Sequence, residues 1–220
     1  MSADLVQRLA ALDVCALSDA MDKLGLPPAV SGLEQRSTTR RIAGKVVTYR
    51  LVKAADAPQR SGAPRHLGTT AVEMAKPGEI IVVEQKTGVD AGSWGGILSL
   101  GAKVRGVAGV IADGPVRDID EARGYDFPIY CRSLTARTAR GRVAELETGQ
   151  PVDIGGVTVA TGDYAIADAS GVVFIRAADI ERVLQAAEMI VAREAAMAAA
   201  LRAGKPISDV MGADYEHMLK

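Results

Sequence analysis

The chain has 220 residues, 48% of them hydrophobic and 24% charged, with Lys plus Arg at 26 against Asp plus Glu at 27. A net charge of −1 with no block of five or more like charges argues against nucleic acid as the main partner, since such proteins carry a basic stripe. No stretch approaches the roughly 18 apolar residues that span a bilayer. The opening MSADLVQRLAALDV holds early acids and no uninterrupted apolar run of a secretory signal, so a soluble, cytoplasmic protein without a membrane partner is expected. Aromatic residues are only 4%, and the core must come from Val, Ile, Leu, Ala and Met. Small side chains bury little area each, so burial between subunits would add stability. Cys15 and Cys131 are far apart, form no CxxC pair and read as free thiols in a reducing compartment.

In chain order, residues 3–12 and 14–24 read as helices, from Leu5, Leu9 and Leu12 and from Leu17, Met21 and Leu24. Gly25 stops the second, and Pro27-Pro28 prevents its resuming. Residues 29–41 read as an irregular basic connection, 43–52 as a strand, 54–66 as a loop and 67–75 as a short helix ended by Lys76-Pro77-Gly78. A strand over 79–84 leads into a Gly-rich loop from Thr87 to Gly96, then a helix over about 96–105 and a buried strand over 107–112. Asp113-Gly114-Pro115 reads as a turn into a helix over about 118–124, followed by a strand at Pro128–Tyr130. This alternation predicts parallel strands with crossovers. Beyond residue 140, short strands at Val143–Leu146, Val157–Val159, Tyr164–Ala167 and Val172–Ile175 predict a mostly antiparallel layer. One long helix over 178–202 closes at Gly204 and Pro206. The reading is a single α/β domain over 1–220, of β/β/α character, with a core over about 15–176 and helices at both termini.

The chemistry concentrates between Gly92 and Glu121. Gly95 and Gly96 let backbone approach a ligand closely. The amides of Ile97 and Leu98 fall in the first helical turn, where they lack an intrahelical acceptor and the helix dipole adds positive charge. Such a turn suits a carboxylate, although a tight turn with solvated amides fits the same spacing. The second loop follows a buried strand and so emerges at its carboxyl end, where ligands of open α/β sheets bind. Arg117 there offers a planar fork for a carboxylate. Asp118 is a hard oxygen donor at a helix start, equally readable as a plain N-cap beside a surface arginine. On the last helix, Glu194 falls on the stripe formed by Ile180, Val183, Leu184, Ala187, Ile190, Val191, Ala198 and Leu201, where an acid is costly unless paired. His66 and His217 have no HxH or HExxH partner and read as structural or surface residues. Trp94 reads as a pocket wall or as core, and Asp113 as a turn residue. No strand followed by a GxGxG loop is present, which argues against a methyltransferase.

Gly96, twenty intervening residues, Arg117-Asp118, two more and Glu121 match the pattern G-x20-R-D-x2-E/D. With RGVAGVIADGPVRD and GDYAIADASGVVFI around it, the chain resembles, over roughly 15–210, the family of 4-hydroxy-4-methyl-2-oxoglutarate and 4-carboxy-4-hydroxy-2-oxoadipate aldolases. That family also includes the regulator of ribonuclease activity A, RraA. The resemblance implies a β/β/α swivelling-domain fold assembled as homotrimers or homohexamers with sites between subunits. It implies a lyase that releases pyruvate from 4-hydroxy-2-oxo acids, with oxaloacetate decarboxylation at the same site. Arg117 would bind the pyruvyl group and stabilise its enolate. Asp118 would hold Mg2+, or Mn2+ or another divalent metal. Ile97 and Leu98 would hold the substrate carboxylate, Glu194 would approach a neighbouring subunit's site, and a metal-held water would take the hydroxyl proton. Many family enzymes carry an acid after the glycine at 95, where this chain has Gly96. That departure keeps open the alternative of a non-catalytic, RraA-like regulator of ribonuclease activity.

Overall fold

The computed structural model describes residues 2–58 and 65–212. Helices Ser2–Ala11 (α1) and Val14–Lys23 (α2) form where the leucine spacing predicts them. Asp13 separates the two with an extended backbone, and its carboxylate caps α2 by accepting from the Ala16 amide at 2.9 Å. The segment expected to be irregular carries a two-residue strand, Glu34–Gln35 (β1). Next come the long strand Ile42–Lys53 (β2), the helix Thr69–Met74 (α3) and the strand Ile80–Glu84 (β3). The Gly-rich loop leads into Gly96–Val104 (α4), then Gly109–Val116 (β4), Ile119–Gly124 (α5) and Ile129–Leu134 (β5). The strands Val143–Thr148 (β6), Val152–Ile154 (β7), Val157–Val159 (β8), Tyr164–Asp168 (β9) and Gly171–Ile175 (β10) follow. Ile180–Arg202 (α6) and the short Ile207–Val210 (α7) complete the elements.

The main sheet has the order β1-β5-β4-β3-β2-β9-β10, with β6 also paired to β2. Strands β2, β3, β4 and β5 run parallel, as the strand–helix alternation predicts. The later strands are antiparallel, β9 to both β2 and β10, and β7 to β8. Two sequence expectations fail here for backbone reasons. Asp113-Gly114-Pro115 is not a turn, because β4 runs on to Val116 across an irregularity between Ala112 and Pro115, and the missing proline donor is tolerated there. Asp113 accordingly does not close a turn. Its buried carboxylate accepts from Arg132 Nε at 2.6 Å and from the Gly155 amide at 2.7 Å, tying β4 to β5 and to the β7–β8 hairpin.

Alternation along the strands builds the layers. Val47, Tyr49, Ile81, Val83, Val110 and Ala112 face α3, α4 and α5, which contribute Ala71, Val72, Leu98, Ala102 and Ala122. Val46, Ile80, Val82 and Ile111 face the other way, onto Val152, Ile154, Ala165, Ala167, Val172 and Phe174. The outer face of β9 and β10, through Tyr164, Ile166, Val173 and Ile175, is covered by α1, α2 and α6. The order α/β/β/α explains why β3 reads IIVV: both of its faces are interior. Among the described residues no helix is long and apolar enough to cross a membrane.

The start of α6 is pinned by charge. Asp179 is buried and takes Arg182 Nη2 at 2.6 Å and Arg176 Nε at 2.6 Å. Hydrogen bonding from Arg182, helped by Arg176 and opposed by burial, holds its carboxyl below the ordinary value. A depressed folded value means that this stabilisation is present above the unfolded value of about 3.9 and is lost as pH falls through the lower folded value. Asp179→Asn is therefore expected to lower the urea midpoint near neutrality and to flatten its fall on acidification, read by titrations between about pH 6 and pH 3.

Candidate active site

Two loops meet at the carboxyl ends of the parallel strands. The 92–96 loop enters α4, and the end of β4 leads into α5. They are stitched side by side. The Ser93 amide and hydroxyl donate to the Pro115 carbonyl at 2.8 and 2.7 Å, the Arg117 amide donates to the Trp94 carbonyl at 3.0 Å, and the Gly96 amide donates to Asp118 Oδ2 at 3.1 Å. Asp118 also accepts from Arg117 Nε at 3.1 Å through Oδ1, so both carboxylate oxygens are oriented, while the terminal guanidinium nitrogens have no partner among the described residues. Asp118 is not a capping side chain. It sits at φ 57° and ψ 39°, in the left-handed region that disfavours side chains other than Asn, Asp and Gly. Strain of this kind persists where surrounding bonds over-determine it, and it clusters at functional sites.

The glycines of the first loop are the imprint of the second. An ideal Cβ at Gly92 would lie 2.8 Å from Arg117 Cγ, one at Gly95 2.9 Å from Asp118 Oδ2, and one at Gly96 would overlap Glu121 Oε2. Each glycine thus makes room for one charged member of the motif. Glu121 fills the space that an acidic side chain at position 96 would need, so the sequence departure at Gly96 and the presence of Glu121 are sterically linked.

Behind the loop lies a buried support. Trp94 is 1% exposed, stacks on Phe127 with ring centroids 6.3 Å apart, and donates from Nε1 to Ser99 Oγ at 2.9 Å. Ser99 in turn gives its hydroxyl and its amide to the Gly95 carbonyl, each at 3.0 Å. Tyr49 donates to the Ser93 carbonyl at 2.7 Å, and burial, reinforced by the Glu145 charge, pushes its phenol well above the ordinary value, so it remains a donor. The amides of Ile97 and Leu98 have no partner among the described residues and open toward a cleft of about 410 Å³. His66, Leu67, Thr69, Thr138 and Ala139 border the same cleft, with Trp94 and the two loops.

Of the residues singled out in the sequence, Gly95, Gly96, Ile97, Leu98, Arg117 and Asp118 come together at this cleft. The Gly96 amide is occupied by Asp118, which leaves the next two amides for a ligand. Glu194 does not join them within the chain. The buried residues of α6 end at Ile190, and Glu194 is exposed, so the expected packing stripe does not continue to it. Trp94 is both core and cleft wall. His66, read from the sequence as structural or surface, borders the cleft, and His217 lies outside the described residues. Tyr49, Ser93 and Ser99 were not legible as site residues. The nearest signal is the spacing of Gly95 and Ser99, which puts the hydroxyl one helical turn past the loop carbonyl. Cys131 is buried in the core and does not border the cleft, and burial pushes its thiol up to about 11.

A family model described as RraA-like, Aldolase/RraA, matches residues 14–174, and the chain belongs to this family. A Legionella pneumophila protein named DlpA is 25% identical over 172 residues, which cover 78% of this chain; the match spans only 27% of that longer protein. A Halalkalibacterium halodurans protein, provisionally named a 4-hydroxy-4-methyl-2-oxoglutarate aldolase, is 27% identical over 186 residues, covering 84% of this chain and 82% of the relative. Among solved structures, an uncharacterized protein from Pseudomonas syringae superimposes with a TM-score of 0.84 at 23% identity, over 96% of this chain and 98% of its own. Streptomyces coelicolor RraAS2, titled an unusual member of the RNase ES inhibitor RraA family, superimposes with a TM-score of 0.76 at 24% identity, over 87% and 93%. These two likenesses concern the fold.

Proposed function

We propose that the chain is a divalent-metal-dependent lyase of 2-oxo acids, cleaving 4-hydroxy-2-oxo acids to pyruvate by a retro-aldol reaction and decarboxylating oxaloacetate at the same site. The observation that carries this reading is the join between Asp118 and the first turn of α4. One carboxylate is aligned by Arg117 and Gly96 beside two open amides, at the mouth of a cleft. The aldolase name carried by a relative supports the same reaction class.

The donor set fits a cation that keeps most of its water. Among the described residues no group of three or more His, Cys, Asp or Glu could hold a metal, so a dehydrated site of the zinc type does not match. Asp118 accepts two hydrogen bonds and has lone pairs left. Glu121 lies at the same corner, its carboxylate in the space beside Gly96. One direct carboxylate with a second close by suits Mg2+, or Mn2+ in its place. When bound, such an ion supplies positive charge beside the oxygen on which the enolate develops.

The remaining work falls to the chain itself. The amides of Ile97 and Leu98, with the dipole of α4 behind them, bind the substrate carboxylate. The free nitrogens of Arg117 bind the 2-oxo oxygen and hold the charge that collects there as the carbon–carbon bond breaks. Leu67, Trp94, Leu98 and Ala139 supply an apolar wall, which strengthens both contacts by excluding water. Loss of carbon dioxide from oxaloacetate leaves the same enolate, so one arrangement serves both substrates. The deciding experiment is pyruvate release from a panel of 4-hydroxy-2-oxo acids and oxaloacetate, with and without chelator. Metal-dependent release supports the reading, and no turnover on any member, together with no metal binding, would sink it in favour of a binding protein.

We also read the working form as a homotrimer or homohexamer. Ile97 and Val104 are each 79% exposed on α4 beside the cleft, and Met189 is 57% exposed on α6 in the opposite layer, so each outer layer offers apolar side chains to a further copy. In such an assembly Glu194, exposed on the second half of α6, would approach a neighbouring subunit's site.

A further inference from the structure

The retro-aldol reaction needs a group that removes the proton of the 4-hydroxyl, and the lone pairs that two donors leave on Asp118 are those assigned above to the metal. Arg117 offers donors only. Thr69 spends its hydroxyl proton on the His66 carbonyl at 2.7 Å, and Thr138 accepts from the Arg140 amide. Among the described residues bordering the cleft, His66 alone brings a basic nitrogen that these contacts leave open.

The geometry of His66 settles which nitrogen that is. Its Nδ1 lies 2.9 Å from the Leu67 carbonyl. A carbonyl only accepts, so Nδ1 carries the hydrogen in this contact and Nε2 of the neutral ring presents its lone pair. The turn that bears the ring is held from several sides. Thr69 closes it on the His66 carbonyl, the Gly68 amide donates to Glu145 Oε2 at 2.7 Å, and the buried Leu67 anchors it in the core. At Gly68, with φ 77°, an added Cβ would lie 3.2 Å from Leu98 Cδ1 and 3.3 Å from the Tyr49 hydroxyl. Tyr49 is the residue that holds the Ser93 carbonyl. One buried phenol therefore sets the spacing between the His66 turn and the loop that carries the open amides, which is the preorganisation a two-ended site requires.

Resting on the function proposed above, we infer that His66 is the proton acceptor of the retro-aldol step. As the C3–C4 bond breaks, its electron pair enters the enolate of pyruvate held by Arg117. The 4-hydroxyl oxygen becomes a carbonyl, and its proton passes to His66 Nε2. The proton then returns through water to C3 of the enolate, releasing pyruvate and the second carbonyl compound with the ring neutral again. This gives the proton to a side chain rather than to the metal-held water that the resemblance implies. It also makes a distinction between substrates. Oxaloacetate has no 4-hydroxyl proton, so its decarboxylation does not use the ring.

The test compares the two reactions in His66→Gln and His66→Ala, with melting temperature as the check on folding. Glutamine can still accept a hydrogen bond from the hydroxyl but is not a base. The expected result is a fall of about 10² or more in kcat for a 4-hydroxy-2-oxo acid, with KM in the glutamine variant moving by less than about threefold. The ratio of retro-aldol to decarboxylase turnover should fall by a similar factor of about 10² in both variants. Parallel loss of both reactions, or a glutamine variant that keeps its retro-aldol kcat, overturns the assignment while leaving the lyase reading intact. A wild-type chain that turns over neither substrate overturns the lyase reading, and this inference with it.

Discussion

Asp118→Asn is expected to lower kcat/KM for every 2-oxo acid by about 10³ or more, and to abolish the response of the reaction to added magnesium. Asparagine is the informative replacement because it tolerates the left-handed backbone at φ 57° and can still accept from the Gly96 amide, so the loop geometry survives while the charge is lost. Isothermal titration with Mg2+ reads the same loss without relying on turnover. Arg117→Ala is expected to cost about 10²–10³ in kcat/KM, since it removes the contact that strengthens as the enolate forms. Arg117→Lys should recover little of this. One ammonium cannot both align Asp118 through Nε and present further nitrogens to the substrate. If the asparagine variant turns over normally and binds Mg2+ like the wild type, the metal is not held at Asp118 and the proposed chemistry must be moved.

The sequence made the motif legible through its spacing, and the structure supplies the physical reason for that spacing. Gly92, Gly95 and Gly96 lie opposite Arg117, Asp118 and Glu121, and each would collide with its partner if it carried a side chain. Three glycines in one loop and three charges in another, twenty-odd residues on, are thus one object. The strand–helix alternation through β5 was readable because β3 and β4 are interior on both faces and short. Residues that close hydrogen bonds across long sequence separations were not. Tyr49 reaches the Ser93 carbonyl from β2, and the His66 turn is tied to β6 through Glu145. Neither link leaves a periodic trace. Asp113 was misread because a Gly-Pro pair normally marks a turn, whereas here the irregularity in the β4–β5 pairing absorbs it. Glu194 shows the opposite error. Helical spacing continues past Ile190, but the layer beneath ends there, so periodicity alone overstated how far the helix is packed within the chain.

The support beneath the site is expected to matter for stability and binding together, and Trp94 separates the two. Trp94→Ala removes a buried indole that stacks on Phe127, and should cost about 3–5 kcal/mol. At roughly 2–4 °C per kcal/mol for a chain of this size, the melting temperature falls well outside measurement error. The same change leaves the Ser93–Ser99 segment without the ring around which it folds, so KM for pyruvyl substrates should rise in whatever fraction stays folded. Trp94→Phe is the sharper probe. It keeps an aromatic ring against Phe127, removes the Nε1 donor to Ser99 and shrinks the buried ring, at a cost of about 1–3 kcal/mol. Ser99 still holds the Gly95 carbonyl through both its amide and its hydroxyl, so the open amides of Ile97 and Leu98 should keep their direction and KM should change by less than about threefold. A phenylalanine variant that stays folded but has its KM raised tenfold would mean that the indole N–H aligns the cradle directly. A near-normal KM in the alanine variant would place that alignment on Tyr49 and the Ser93–Pro115 bonds alone.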